Sequence, residues 1–433
     1  MNVGVLGLGH LGSVTAACLA KLGHRVVGMD FDEARVANLG KGIAPIFEPG
    51  LEELIVRGLS SGHLRFTAAV GDAKDIDVLW VTYDTPVEDE DADTDFVMAQ
   101  IERALLGMSR DVVVLVSSQL PVGSVRRLEY AEALNGTPQL KVACSPENLR
   151  LGRAVDDFLH PERIVVGVRS SRERDLLQGL LSSITESIEW MSVESAEMTK
   201  HAVNAFLAAS VAFANEIASI CESVGADAKE VERGLKTESR IGPRAYLSPG
   251  AAFAGGTLAR DVAYLNRTAR ERGVTAPLLS SVLPSNDSHR RWVQRKLRGL
   301  FVDLSRATVA VWGLTYKPGT DTLRRSAAVE LCDWMIREGA TVHVHDPVVK
   351  SLPEHWRDAV KRYADPIAAA RGADALVVTT DWPMYGAISV DQLIECSAHL
   401  AVLDANRFLR NLAAAEGRGR VRYFAVGMPL EDT

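Results

Sequence analysis

A chain of 433 residues, 47% hydrophobic and 24% charged, has the balance of an ordinary folded protein with length for two or three domains. Its formal net charge of -8 argues against a nucleic-acid or acidic-membrane surface, while a local pocket for a phosphate stays open. Five scattered cysteines, odd in number and without a CxxC pair, suggest neither a disulfide framework nor a zinc site, so no metal is expected.

The opening residues, MNVGVLGLGH, read as a strand running into a glycine turn rather than a secretion signal. No apolar run approaches the roughly 20 residues that cross a bilayer, so a soluble cytoplasmic protein is expected. From Asn2 to about Val193 short Val/Ile/Leu-rich runs alternate with helix-length segments: NVGVLGL, RVVGMD, DVLWVT, DVVVLVSS, KVACS and RIVVGV. Continuous apolar strands separated by helices predict a parallel sheet covered on both faces, a doubly wound, Rossmann-like α/β domain over residues 1–193. Residues 194–298 change texture. SAEMTKHAVNAFLAASVAFANEIASICESVG has no Gly or Pro before Gly225, which predicts one long helix in a helical middle domain. Its apolar character on most faces calls for burial by flanking domains or by a second subunit. From Thr308 the alternation resumes with ATVAVWGL, a helix over Ala327 to Glu338, TVHVHD, ALVVTT and LAVLDA, so a second, smaller α/β domain is expected over residues 299–433.

In GLGHLG, Gly7, Gly9 and Gly12 lie between the first strand and a helix, and Asp30 ends the second strand. Such glycines serve the tight turn, the approach of backbone to a pyrophosphate, and helix–sheet packing. The acid accepts ribose hydroxyls and repels a 2′-phosphate, which predicts NAD over NADP; nearby Arg35 softens that preference. In AEMTKHAVN, Lys200 and Asn204 share a helical face and are candidates to polarise an alcohol oxygen, although a solvated face has the same pattern. The glycine-rich stretch YLSPGAAFAGGTLARD is either a ligand-binding loop or a tight entry into the next helix.

These segments, with PIFEPGL, DTP at Asp84 to Pro86, PVG at Pro121 to Gly123, SPENLRLGRAVDD and GLTYKPGTDTLRRS, resemble the UDP-glucose/GDP-mannose dehydrogenase family across nearly the whole chain. The resemblance implies an NAD-binding domain, a dimerising middle domain and a C-terminal domain for a nucleotide sugar, with a UDP-sugar favoured and a homodimer expected. It implies catalytic roles for Lys200, Asn204, Asp261, Glu147 and the residue at Thr257. It places His10, Leu11, Thr85, Gln119 and Arg324 with the cofactor, beside the glycines, Asp30 and Arg35. With the substrate it places Glu147, Leu149, Lys200, Asn204, Arg240, Tyr246, Leu247, Phe253, Gly255, Lys317 and Arg407.

The departures from the family concentrate on one step. Family members oxidise a primary alcohol to an acid with two NAD, catching the aldehyde on a cysteine of the loop GFGGSCFPKD. Here AFAGGTLARD puts Thr257 at that cysteine and Arg260 at the lysine. Gln119 replaces a threonine associated with the catalytic water, and Leu151 replaces a second glutamate. A thiol near pKa 8.5 is partly ionised at neutrality, whereas a threonine hydroxyl is not without a strong base. The expectation is a two-electron NAD-dependent oxidation to an aldehyde or ketone. The alternatives are a four-electron oxidation through an aldehyde hydrate, an NAD-recycling epimerase or lyase, and a non-catalytic nucleotide-sugar-binding paralogue.

Overall fold

Buried from Val3 onward, the strand Asn2–Leu6 pairs in parallel with Arg25–Met29 on one side and Val78–Val81 on the other. Around it the computed structural model forms an eight-stranded sheet in the order 188–191, 164–167, 141–144, 113–116, 78–81, 2–6, 25–29, 64–67. Residues 74, 86, 89–90, 107, 109–111, 135–139, 148, 255, 325, 398, 414–420 and 430–433 are outside the described structure, which covers the rest of the chain. The sheet is mixed rather than wholly parallel, because Ile164–Gly167 meets Lys141–Cys144 antiparallel through the Cys144–Gly167 pair. Apolar runs mark strands covered on both faces. They miss Leu64–Thr67 and Ile188–Met191, two edge strands with only partial burial whose Arg65 and Glu189 interrupt the pattern. Sequence connections diverge between Asn2–Leu6 and Val78–Val81, and a sheet of this kind opens its ligand crevice at the carboxyl ends of such strands.

The long helix spans Val193–Val224 and stops at Gly225, whose φ of +75° a side chain rarely adopts. One 18-residue window of it has mean hydropathy 1.4, enough by length and composition to cross a membrane, and 44% of that window is buried in protein. The expectation that no run is long enough therefore needs correcting: Glu194, Glu197 and Lys200 sit at one end and Glu216 and Glu222 towards the other, leaving the middle free of carboxylates and lysines. Phe206, Phe213, Ile220 and Val224 are nonetheless exposed, along a heptad-like spacing.

The chain divides into two compact units, Met1–Ala202 and Val203–Thr433. In the second, Thr308–Trp312 is central to a six-stranded parallel sheet in the order 360–362, 341–345, 308–312, 375–378, 400–404, 421–424. The loops leaving the two central strands are built alike. Gly7 N donates to Met29 O and Gly313 N to His345 O, both at 2.8 Å, and both glycines hold φ at +92°. Leu8 N donates to Asp30 Oδ2 and Leu314 N to Asp346 Oδ2, both at 2.7 Å. The hydroxyls of Thr82 and Thr379 donate to the carbonyls of the strand end and of the glycine. Beyond this shared core, Asp346 also accepts from Thr315 N, Val348 N, Val349 N and the indole of Trp382.

Candidate functional site

In the first unit the glycines form a cradle that side chains would fill. Gly9 caps the helix His10–Lys21, and a methyl group on Gly12 would run into the Gly7 carbonyl and come within 2.6 Å of the Thr82 hydroxyl oxygen. A methyl group on Gly7 would meet the Tyr83 ring at 2.7 Å. Leu11 is buried behind the turn, so backbone amides rather than side chains face the crevice. This bare backbone at a helix N-terminus fits the pyrophosphate of NAD. Asp30 is 4% exposed and accepts from Leu8 N, from Asp32 N at 3.0 Å and from Arg35 Nη1 at 2.8 Å. A carboxylate accepts about four hydrogen bonds, so capacity remains for a ribose hydroxyl. The Arg35 pairing offsets part of the charge that would exclude a 2′-phosphate.

Glu48, which the sequence reading placed only within a family motif, organises this region. Its carboxylate is buried, meets His10 Nε2 at 2.9 Å, and accepts from Gly152 N at 2.8 Å and Ala154 N at 2.9 Å. It thereby ties the glycine turn to the segment that follows Glu147. Glu147 accepts from Leu149 N at 2.5 Å, and burial pushes its carboxyl above the usual range against the pull of Lys200. A carboxylate raised in this way suits proton transfer. Gln119 and Lys200 line a small cavity with Ser118, Cys144, Pro146 and His201, and the Thr85 hydroxyl donates to Gln119 O at 2.8 Å. Leu151 is exposed.

All five cysteines are buried. Burial pushes the Cys18 thiol up to about 12 and raises those of Cys144, Cys332 and Cys396. Cys144, the thiol nearest a family motif, is 5% exposed at a strand end, where a thiolate is disfavoured.

In the second unit Thr257 is the first residue of the helix Thr257–Glu271, capped by Gly256, and it is exposed. Asp261, one turn later on the same face, is 1% exposed and accepts from the Asn204 amide. The Thr257 hydroxyl makes no hydrogen bond among the described residues. The loop before it is held by four side chains, of which the sequence offers only Asn406, at a family substrate contact. Asn215 accepts from Gly250 N at 3.0 Å, and His289 meets Gly250 O at 2.8 Å. Asn286 accepts from Phe253 N at 3.0 Å and donates to Phe253 O at 2.9 Å, and Asn406 accepts from Ala251 N at 2.8 Å. Since a carbonyl accepts, His289 carries its proton on Nε2, and burial lowers its pKa, which keeps the ring neutral. The available signal was an amide inside apolar helical sequence, AFANEIAS for Asn215. Removing the clamp with Asn286→Ala leaves both backbone groups of Phe253 unpaired, a cost of about 1–3 kcal/mol; a lowered Tm in thermal melts checks it.

The remaining candidates are spread around this unit. Phe253 packs against an apolar cluster that includes Ala208 and Val262, Leu247 is half-buried, and Tyr246 is exposed. The Tyr316 hydroxyl approaches Gly256, at 2.8 Å from where a Cβ would stand. Lys317 is half-buried, Arg324 is exposed, and Arg240 is exposed beside Glu238 at 3.0 Å. Arg407, at φ +52°, is committed to Asp227 at 2.9–3.0 Å, while its neighbour Asn406 reaches the glycine loop and donates to Asp381 at 2.9 Å. Gly255, and Pro86 and Asn148 of the quoted motifs, lie outside the described residues.

Comparison with known proteins converges on these same segments. Sequence models of the UDP-glucose/GDP-mannose dehydrogenase family match in three parts: the NAD binding domain at residues 1–185, the central domain at 194–288 and the UDP binding domain at 310–411. The chain is similar to a UDP-glucose 6-dehydrogenase of Pseudomonas aeruginosa, with 35% identity over 89% of this chain and 88% of that one. Among solved structures it is similar to a UDP-glucose dehydrogenase of Pyrobaculum islandicum, with TM-score 0.83, 30% identity, and coverage of 99% of this chain and 98% of that one. It is also similar to a UDP-D-ManNAc dehydrogenase of Pyrococcus horikoshii, with TM-score 0.84, 25% identity and 99% of both chains covered. With the glycine cradle, the acid at the second strand and a family match over most of its length, the chain belongs to the UDP-glucose/GDP-mannose dehydrogenase family and is an NAD-dependent oxidoreductase acting on a CH–OH group of a nucleotide sugar.

Proposed function

We propose that this enzyme removes one hydride and one proton from an alcohol of a UDP-sugar and releases the aldehyde or ketone without carrying it to the acid. The observation that supports this is Thr257, an exposed hydroxyl without a described hydrogen-bond partner at the position where the resembling loop carries its thiol, in a chain whose own thiols are all buried. An alcohol of ordinary pKa is a poor nucleophile without an adjacent base. Residues 1–193 hold the cofactor, 194–298 handle the reacting carbon and 299–433 bind the nucleotide. Bound NAD supplies the hydride acceptor. By the resemblance, Lys200 and Glu147 of the first unit and Asn204 and Asp261 of the second carry the chemistry of the alcohol, and the burial that raises the Glu147 pKa suits that carboxyl to take up a proton. UDP is favoured because the three relatives above all carry names of UDP-sugar enzymes, while their sugars differ.

The exposed stripe Phe206, Phe213, Ile220 and Val224 supports a homodimer built on the long helix, with Arg240 free of burial to reach a partner. Five unpaired cysteines fit a reducing compartment such as the cytoplasm.

Incubation with NAD and a panel of UDP-sugars, read by mass spectrometry and NADH absorbance, is expected to give one NADH per carbonyl product. Two NADH with a carboxylate would overturn the proposal, and conversion without net NADH would point to cofactor recycling. Thr257→Ala should leave turnover within about twofold, since a hydroxyl that does not attack contributes only packing. Thr257→Cys should introduce acid formation if the remaining hydrolytic groups suffice; continued release of carbonyl product would place the block at Gln119 and Leu151.

A further inference from the structure

We propose that Asp84 is a resident anion at the pyrophosphate position of the glycine turn, which the dinucleotide must displace, so that this carboxylate sets how loosely the cofactor is held. The inference rests on the NAD assignment and is independent of how many electrons the reaction moves.

Asp84 follows the strand Val78–Val81, the neighbour of the strand that leads into the glycine turn. The residue is exposed overall, while its carboxyl is partly withdrawn from water against the glycine turn. Its Oδ2 accepts from His10 N at 3.3 Å, the first amide of the helix His10–Lys21, and lies where a Cβ on Gly9 would stand. Those two features, an unencumbered glycine and a helix N-terminal amide, are what a glycine turn offers a phosphate. Here a side-chain carboxylate takes both. A negative group this close to a pyrophosphate opposes it by like-charge repulsion.

Three charged or titratable groups act on or are acted on by Asp84. His10, itself paired with Glu48, faces it from the glycine turn, and Arg35 acts on it from the helix Glu33–Leu39. Glu147 faces it from beyond the strand Lys141–Cys144, itself acted on by Lys200. Partial withdrawal from water raises the Asp84 pKa, and His10 and Arg35 oppose the rise. A phosphate arriving beside it favours the protonated form further, so binding takes up a proton. Affinity is then greatest when Asp84 is protonated and falls as pH rises through its pKa in the free protein. A weakened hold on the pyrophosphate favours exchange of NADH for NAD between turnovers over retention of one cofactor.

The test is binding, by calorimetry or NADH fluorescence, of NADH, ADP-ribose and adenosine to the full chain from about pH 5 to about pH 8, a window around and above ordinary carboxylate titration. Wild type should lose affinity for NADH and ADP-ribose as pH rises. Asp84→Asn, which keeps shape and removes charge, should bind both about tenfold tighter at the upper end, with a shallower pH dependence. Adenosine, which has no phosphate, should bind the two proteins alike. His10→Gln should keep the wild-type slope, separating Asp84 from the imidazole. Equal or weaker NADH binding by Asp84→Asn, or the same gain for adenosine, overturns the proposal alone. Absence of NADH and ADP-ribose binding in every variant overturns the cofactor assignment and the proposal with it.

Discussion

Gly12→Ala is expected to weaken NADH binding at least about a hundredfold and to lower thermal stability. The added methyl group points at the Gly7 carbonyl oxygen, and neither partner can yield cheaply. Gly7 is fixed at φ +92°, donates to Met29 O at 2.8 Å, and its carbonyl accepts from the Thr82 hydroxyl at 2.8 Å. Relief requires the helix His10–Lys21 to move away from the first strand, and overpacking of this kind costs about 1–3 kcal/mol. The larger effect is on the ligand, because the same shift carries the amides of the turn away from the pyrophosphate, and losing two hydrogen bonds to a charged group, at about 1.5–3 kcal/mol each, is worth about a hundredfold or more. Fluorescence titration with NADH and a circular-dichroism melt measure the two effects. Binding within about threefold of wild type would mean that the turn does not carry the cofactor.

Lys200→Ala is expected to reduce kcat by about a thousandfold while NADH binds within about twofold of wild type, the range seen when a group that holds developing charge or relays a proton is lost. Lys200 lines the cavity beside Gln119 and pulls the Glu147 carboxyl downward. Its removal takes away the largest opposition to burial and leaves the Leu149 N hydrogen bond and His10, so the Glu147 pKa rises. Any rate that needs the ionised carboxylate then appears only at higher pH, and the acid limb of the kcat profile moves up. A kcat within tenfold of wild type, or an unmoved acid limb, would remove Lys200 from the chemistry.

The parts of this site that sequence made legible are those whose chemistry is local. Gly7, Gly9, Gly12 and Asp30 are recognisable because strand, turn and helix follow one another within a single unit of chain. Asn204 and Asp261 could be named as candidates, but only the fold shows the amide donating to the carboxylate, 57 residues apart in sequence. Glu48 reaches Ala154 across 106 residues, and Asn406 reaches Ala251 across 155, distances at which no spacing rule operates. The edge strands Leu64–Thr67 and Ile188–Met191 escaped for a different reason: one side of each lacks a neighbour, and partial burial admits charged residues that disguise the strand. Arg407 shows the same limit of local reading. The resemblance offered it as a substrate contact, and the fold adds a partner that sequence spacing does not announce, Asp227, 180 residues away.

The paired turns at Gly7 and Gly313 act as an internal yardstick for what a strand-end acid can do. Asp346 receives Leu314 N, Thr315 N, Val348 N, Val349 N and the Trp382 indole. With a capacity of about four acceptor sites, that carboxylate is saturated by its own chain. The same architectural joint thus serves once as a socket and once as masonry. A nucleotide held by the second α/β fold must find its ribose and phosphate partners elsewhere, and reshaping that fold to take a dinucleotide would have to begin by unburdening Asp346.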